Sequence, residues 1–198
     1  MICFFLYEIY IVGNYIFMKM YRFKCVVLLM CSVITAIAFL VVSYIKVSYP
    51  VAYNCQIEKI SREYEIDENL VRAIINVESG YNELAISSVG AMGLMQIMPE
   101  TANWIASQIG IEDFDDKMLF NAKINIKMGV FYLRYLFDKY GEQNLVLFAY
   151  NAGEGRLDNY LTTNQIFVIE NVIIDETRNY IKNVNRDYKV YNKLFKLV

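Results

Sequence analysis

Histidine is missing from all 198 residues. That absence removes the imidazole-dependent chemistries: Ser-His-Asp and Cys-His nucleophile pairs, and metal centres that need a ring nitrogen. Any general acid or base must then be Asp, Glu, Lys, Tyr or Cys. Cysteine is nearly as scarce. Of the four, Cys3, Cys25 and Cys31 fall in the apolar N-terminal part, which leaves Cys55 alone in the rest of the chain. Neither a disulfide framework nor a Cys-x-x-Cys metal pair can be built there, and an unpaired thiol with no histidine to activate it reads as inert. Excess positive charge is also lacking. Lys and Arg number 19 against 21 Asp and Glu, a net charge of −2, so no basic field points to nucleic acid. The mean hydropathy of +0.28 is nevertheless high for a purely soluble chain, so one part of it must be strongly apolar.

That part is "CVVLLMCSVITAIAFLVVSYI", Cys25 to Ile45, an uncharged run long enough to cross about 30 Å of hydrocarbon as a helix. Lys19, Arg22 and Lys24 precede it and only Lys46 follows closely. The positive-inside bias therefore predicts a cytoplasmic segment over residues 1–24, a transmembrane signal anchor over 25–45, and everything beyond it outside the cell membrane. The apolar core exceeds the roughly 7–15 residues of a cleavable signal, and no small-x-small site follows it. Residues 1–17 are apolar but interrupted by Glu8, Gly13 and Asn14; Met18 and Met20 offer alternative starts, on which reading 1–17 is a start-site artefact. Residues 46–55, with Pro50, read as a connector, and 56–198 as one catalytic domain.

Helical periodicity dominates that domain. It predicts helices at Ile57 to Tyr64, at Glu68 to Glu78 with Asp67 as N-cap, at Pro99 to Ile109, at Asn121 to Tyr140, at Gln143 to Asn151, and from Asp175 to about Phe195. "NQIFVIENVII", Asn164 to Ile174, is the one stretch that reads equally as a strand-like connector. In "AIINVESGYNELA" a single acid, Glu78, ends a largely apolar helix just before Gly80. A carboxyl there is partly desolvated, which raises its pKa and suits a general acid. A Gly-rich loop, "SSVGAMGLMQIMPETA", follows; "FAYNAGEGR" ends another apolar helix; and "DETRNYIKNV" opens the last one.

In this order, "ESGYNELAISSVGAMGLMQIMPETA", "NIKMGVFYLRYL", "AYNAGEGRLDNY" and "ETRNYIKNV" resemble the soluble lytic transglycosylase family, the SLT-type catalytic domain of the lysozyme superfamily. The likeness covers the chain from about Gln56 to Tyr188. It implies an all-α, lysozyme-like fold that cleaves the β-1,4 bond between N-acetylmuramic acid and N-acetylglucosamine in peptidoglycan. Glu78 takes the place of the family's catalytic acid, and Tyr150 that of the tyrosine close to it. Ser79, Met95, Gln96, Asn151, Glu176 and Tyr180 match positions lining the sugar groove, whereas Asn125 and Gly129 match helix-packing positions. Ordinary glycosidases need a second carboxylate. Glu83, Glu100 and Glu154 read as exposed loop or helix-start acids, and the family does without one: the substrate's acetamido group steadies the developing cation, and Glu78 then draws the proton from the C6 hydroxyl, closing a 1,6-anhydro ring.

The resemblance implies neither metal nor cofactor. Its partners are peptidoglycan strands, the membrane, and a cell-wall or secretion machinery that would aim the enzyme. A lysozyme-type hydrolase and a catalytically quiet wall-binding subunit are the alternatives. The departures from the family pattern are Glu83-Leu84, where a proline is common after the asparagine, and the apolar insertion from Ile166 to Ile174.

Overall fold

A computed structural model describes residues 2–163, 167–169, 172 and 175–196. The chain divides into two compact units, Met1–Ser48 and Tyr49–Val198. The first is a single helix, α1 (Ile2–Ser48). Its stretch Tyr10–Ser48 is long and apolar enough to cross a membrane, with a mean hydropathy of 3.0 in its best window. Gly13 and Asn14 do not interrupt it. The propensity cost of one glycine, about 1 kcal/mol, is too small to break a helix otherwise made of good formers.

The second unit is all-α among the described residues, with seven α-helices and one 3-10 turn: α2 (Asn54–Glu63), α3 (Glu68–Ser79), α4 (Pro99–Ile109), the 3-10 turn Asp116–Phe120, α5 (Ala122–Tyr140), α6 (Gln143–Ala152), α7 (Glu154–Thr163) and α8 (Asp175–Lys196). Local chemistry fixes their ends. The Asp67 carboxylate accepts from the amides of Asn69 and Leu70 at the head of α3, and Gly80 closes that helix in the left-handed region. Pro99 opens α4, where its missing N–H costs nothing, and the Asn121 side chain caps α5 through the Ile124 amide.

Buried side chains of α3 (Leu70, Val71, Ala73, Ile74, Ile75) form the middle of the core. Along its length α3 packs on α8, and near its start on α2. Arg72, also on α3, is fully buried. Its guanidinium meets Glu58 at 3.3 Å and Glu68 at 3.4 Å, donates to Asn54 and Asn69, and lies 4.0 Å from the Phe195 ring centre. A buried cation survives only when paired and hydrogen-bonded, and here its partners knit α2, α3 and α8 together.

Two differences from the sequence reading have physical causes. Helix α7 carries one fully buried apolar residue, Leu157, with Tyr160 and Leu161 partly buried beside it, so its apolar stripe is a single turn, too short to read from the pattern. Tyr49, Pro50 and Tyr53, read as connector, pack on the second unit: Tyr49 meets the Tyr191 ring edge-on at 5.8 Å, Tyr191 donates to the Pro50 carbonyl at 3.0 Å, and Tyr53 donates to Glu83 at 3.0 Å. The strand-like alternative for Asn164 to Ile174 falls mostly outside the described residues; within them, Phe167 packs on Phe148 and Tyr160 and Val172 is buried.

The loop between α3 and α4 has no regular structure of its own beyond two isolated bridges, Ile86 with Met92 and Met92 with Ile97. The side chain that ties it most firmly to the helices is on α5. Asn125, fully buried on α5, accepts from the Met95 amide at 2.8 Å and donates to the carbonyls of Met92 (3.0 Å) and Leu119 (2.9 Å). Gly93 passes so close that a Cβ there would stand 2.2 Å from both the Asn125 side chain and the Leu119 carbonyl, at a φ of +78°. The Met92 carbonyl also accepts from the Ile97 amide at 3.1 Å, so Asn125→Ala should strand chiefly the buried Met95 amide, remove a bond from the Leu119 carbonyl, and cost about 3 kcal/mol. Circular dichroism melting of the full chain should show the helical transition falling by roughly 10 °C; a fall of a degree or two would mean that the loop supports itself.

Candidate active site

Helix α3 ends in the sequence Glu78-Ser79-Gly80, and this ending delivers Glu78 half-buried to the foot of the core. Desolvation pushes its carboxyl up from an ordinary 4.5 to about 7. The one opposing influence is the nearby Tyr180 hydroxyl, which favours the charged form. Among the described residues neither a cation nor a second carboxylate contributes to the shift. Tyr150, on the last turns of α6, donates to the Met95 carbonyl at 2.8 Å. Tyr180, on α8, is 7 % exposed; its buried hydroxyl has no hydrogen-bond partner among the described residues and lies close enough to Glu78 for each to shift the other's hold on its proton. Burial pushes both phenols well above their usual range, and the charge of Glu78 pushes them further. Two permanently protonated phenols thus stand beside a carboxyl poised near neutrality.

The remaining residues singled out in the sequence take varied places. Ser79 Oγ lies within hydrogen-bond reach of two carbonyls, Leu94 at 2.8 Å and Ile75 at 3.1 Å, so this hydroxyl is engaged in tying the loop to α3. Gln96, at a φ of +47°, donates from Nε2 to the carbonyls of Gly93 (2.8 Å) and Ala85 (3.2 Å) and lines a cavity. Met95 differs from the groove-lining expectation: its side chain is fully buried against Gly129, and only its carbonyl, received by Tyr150, bears on the site. Asn151 lines the same cavity as Gln96 and accepts from Thr177 Oγ1 at 2.8 Å. Glu176 stands exposed on the opening turn of α8.

That cavity, about 230 Å³, is walled by Gln96, Met98, Thr101, Tyr132, Tyr150 and Asn151, among others. A second, of about 380 Å³, shares Thr101 and Tyr132 with it, so the two adjoin along α4 and α5. Tyr132 is the hinge of this surface, its ring 5.6 Å from that of Tyr150 on one side and 6.2 Å from that of Tyr135 on the other. Sequence reasoning passed over Tyr132, Thr101 and Trp104 because they sit in amphipathic helices, where an aromatic at helical spacing reads as core. Among the described residues no three Asp, Glu or Cys side chains converge as metal ligands would.

A family model described as the transglycosylase SLT domain matches residues 56–173. The soluble lytic murein transglycosylase of Salmonella typhimurium is 34 % identical over 160 residues, covering 77 % of this chain and 25 % of that protein. Membrane-bound lytic murein transglycosylase C of Histophilus somni is 32 % identical over 161 residues, 68 % of this chain and 44 % of that one. Among solved structures, an inactive glutamate-to-glutamine mutant of the lytic transglycosylase Slt from Pseudomonas aeruginosa superposes with a TM-score of 0.72 at 29 % identity, over 77 % of this chain and 26 % of that chain. The chain thus spans about a quarter of the length of the soluble relatives it matches.

Because its folded-state value of about 7 lies above its ordinary 4.5, Glu78 binds its proton more tightly in the folded state. The stability this contributes is whole below about 4.5 and is lost as pH rises through about 7. Glu78→Gln, which cannot ionise, should thus melt higher than the parent at pH 8, by on the order of 2 kcal/mol, with little difference at pH 4. A difference that does not change with pH would show that the carboxyl titrates normally.

Proposed function

The chain belongs to the transglycosylase SLT family, and on that footing we propose that it is a peptidoglycan lytic transglycosylase, held at the cell membrane by α1 with its catalytic unit outside. The observation that carries this reading is the isolation of Glu78: a desolvated carboxyl near neutrality, flanked by two phenols that stay protonated, beside a groove walled by Gln96, Tyr150 and Asn151.

In this reading protonated Glu78 gives its proton to the glycosidic oxygen as the bond to C1 of muramic acid breaks. The acetamido oxygen of the same sugar closes on C1 and steadies the positive charge. The carboxylate left behind then takes the proton of the C6 hydroxyl while that oxygen attacks C1, which releases the acetamido group and closes the anhydro ring. No water enters the balance and Glu78 ends protonated. A retaining or inverting hydrolase would set a second carboxylate roughly 5–10 Å away; among the described residues no carboxylate figures in the shift of Glu78. Tyr150, fixed on the Met95 carbonyl, keeps the loop in place against α6, and Tyr180 steadies the carboxylate between the two proton transfers.

The anchor half rests on the length and apolarity of Tyr10–Ser48 and on Lys19, Arg22 and Lys24 at one end against Lys46 at the other. A relative that bears the name membrane-bound accords with it.

Mass spectrometry of muropeptides released from purified peptidoglycan should show anhydro ends from the parent. Glu78→Gln should lose them, with turnover down about a thousandfold or more and glycan binding largely kept. Hydrated reducing ends would make the protein a lysozyme-type hydrolase, and no release from either protein would favour a wall-binding subunit. Removing residues 1–48 should give a soluble, helical and active protein, because the compact unit starts at Tyr49. Aggregation with loss of the helical signal would show that α1 belongs to the fold.

A further inference from the structure

Among the described residues of the second unit, four large apolar side chains stand more than half exposed: Val51 (54 %), Leu84 (65 %), Ile86 (64 %) and Val89 (73 %). Scattered singly they would need no account. They fall instead in two stretches that one hydrogen bond joins. The Tyr53 hydroxyl donates to Glu83 at 3.0 Å, so the stretch that carries Val51 and the loop that carries the other three meet there. The loop is held in shape at its far end. The Ala91 amide donates to Ser87 Oγ at 2.9 Å, the Gly90 amide to the Ser87 carbonyl at 3.0 Å, and Ile86 is bridged to Met92. Ile86 and Val89 are thereby kept out in solvent rather than free to turn inward. Glu83, the partner of Tyr53, is the only charged residue from Tyr81 to Met98.

We infer that Leu84, Ile86 and Val89 form a docking surface for the lipid bilayer, seated in the headgroup layer of the leaflet from which α1 emerges. The inference rests on the anchor half of the proposed function and is independent of the reaction. Chain length carries it. Helix α1 ends at Ser48, and Tyr53 comes five residues later, at most about 18 Å of fully extended chain. However the two units are turned, the junction of Tyr53 with Glu83 can stand only that far, plus a side chain's length, from the end of the span. Composition then favours lipid over protein. Protein interfaces draw their binding from aromatic and arginine anchors, and from Asn82 to Ala91 the loop has neither. Aliphatic side chains sink about 5–10 Å into the boundary between headgroups and acyl chains. With no cation in the loop, withdrawal of apolar surface from water is what holds it there. The same loop walls the site at Glu78, so span and loop together stop the catalytic unit from swinging on its tether and confine that site to the zone next to the lipid.

Val89→Trp places a fluorophore on the loop at a side chain exposed enough to accept it. The full chain would be reconstituted in phosphatidylcholine vesicles, with and without lipid brominated near the headgroup end of its acyl chains. The parent, whose single tryptophan is Trp104, supplies the baseline. The added emission should lose about half its intensity or more to brominated lipid, at low and high salt alike, and acrylamide in the water should reach it poorly. Leu84→Ser with Ile86→Ser in the same chain, both at exposed positions, should free the loop and remove most of that quenching. Emission open to acrylamide and blind to brominated lipid would overturn the inference and leave the patch for a protein partner. Quenching that survives the double substitution would overturn it too, because the tether alone would then account for the proximity. A chain that does not float with the vesicles removes the anchor and the inference with it, whereas one that floats with an unquenched loop removes the inference alone.

Discussion

A carboxyl group at the end of a buried helix must find a counter-charge or keep its proton, and around Glu78 the fold withholds the counter-charge. The cation that might have served is on the same helix. Arg72 is fully buried, yet it stands about 9 Å back along the axis and roughly 120° round it, committed to Glu58 and Glu68. Helix α3 therefore carries two costly groups that do not neutralise each other. Arg72 is satisfied in full and binds three helices together; Glu78 is satisfied only in part, and its strain appears as a raised pKa. The stability of the core and the reactivity of the site come from opposite treatments of charge within one helix.

Holding Glu78 in this state requires a wall that does not collapse on it, and the loop from Tyr81 to Met98 is that wall. Turn and bridge hydrogen bonds shape the loop from within, and side chains of the helices tie it to the core. Asn125 supplies two from α5, with a third to the 3-10 turn, Tyr150 one from α6, and Ser79 one from α3 itself. Each attachment is to a main-chain group, so the loop's side chains are free to vary in role while its path is fixed. Met95 shows the result: its amide and carbonyl are both claimed by anchoring residues, and its side chain fills the space that Gly129 leaves open.

Much of this was legible in the residue pattern. The apolar spacing of Leu70 to Val77, with Asp67 before it and Gly80 after it, announces α3 and exposes Glu78 as the acid out of place. Pro99 and Asn121 mark the heads of α4 and α5 in the same way. What the pattern could not disclose depends on tertiary contact. The direction of the Met95 side chain depends on a glycine on another helix, and a sequence motif does not separate main-chain from side-chain service. Helix α7 offers only one turn of apolar stripe, Leu157 with the partly buried Tyr160 and Leu161, too short to stand out from its polar neighbours. Trp104, Tyr132 and Tyr135 belong to two helices whose register against each other no local rule sets, so the cavity they form is invisible until the helices are packed.

On the proposed mechanism Glu78 acts as acid and then as base in one turnover, and such a group is best served by a pKa near the working pH, since either extreme makes one of the two transfers uphill. Burial alone would drive Glu78 past that point, because each step of desolvation penalises the anion without limit until the proton is fixed. Tyr180 is the counterweight, a buried phenol with no other partner among the described residues, whose nearness to the carboxylate favours the charged form. The phenol's own acidity has been suppressed by the same burial, which ensures that it donates a hydrogen bond and never a proton. Desolvation sets the acid's strength and the phenol trims it.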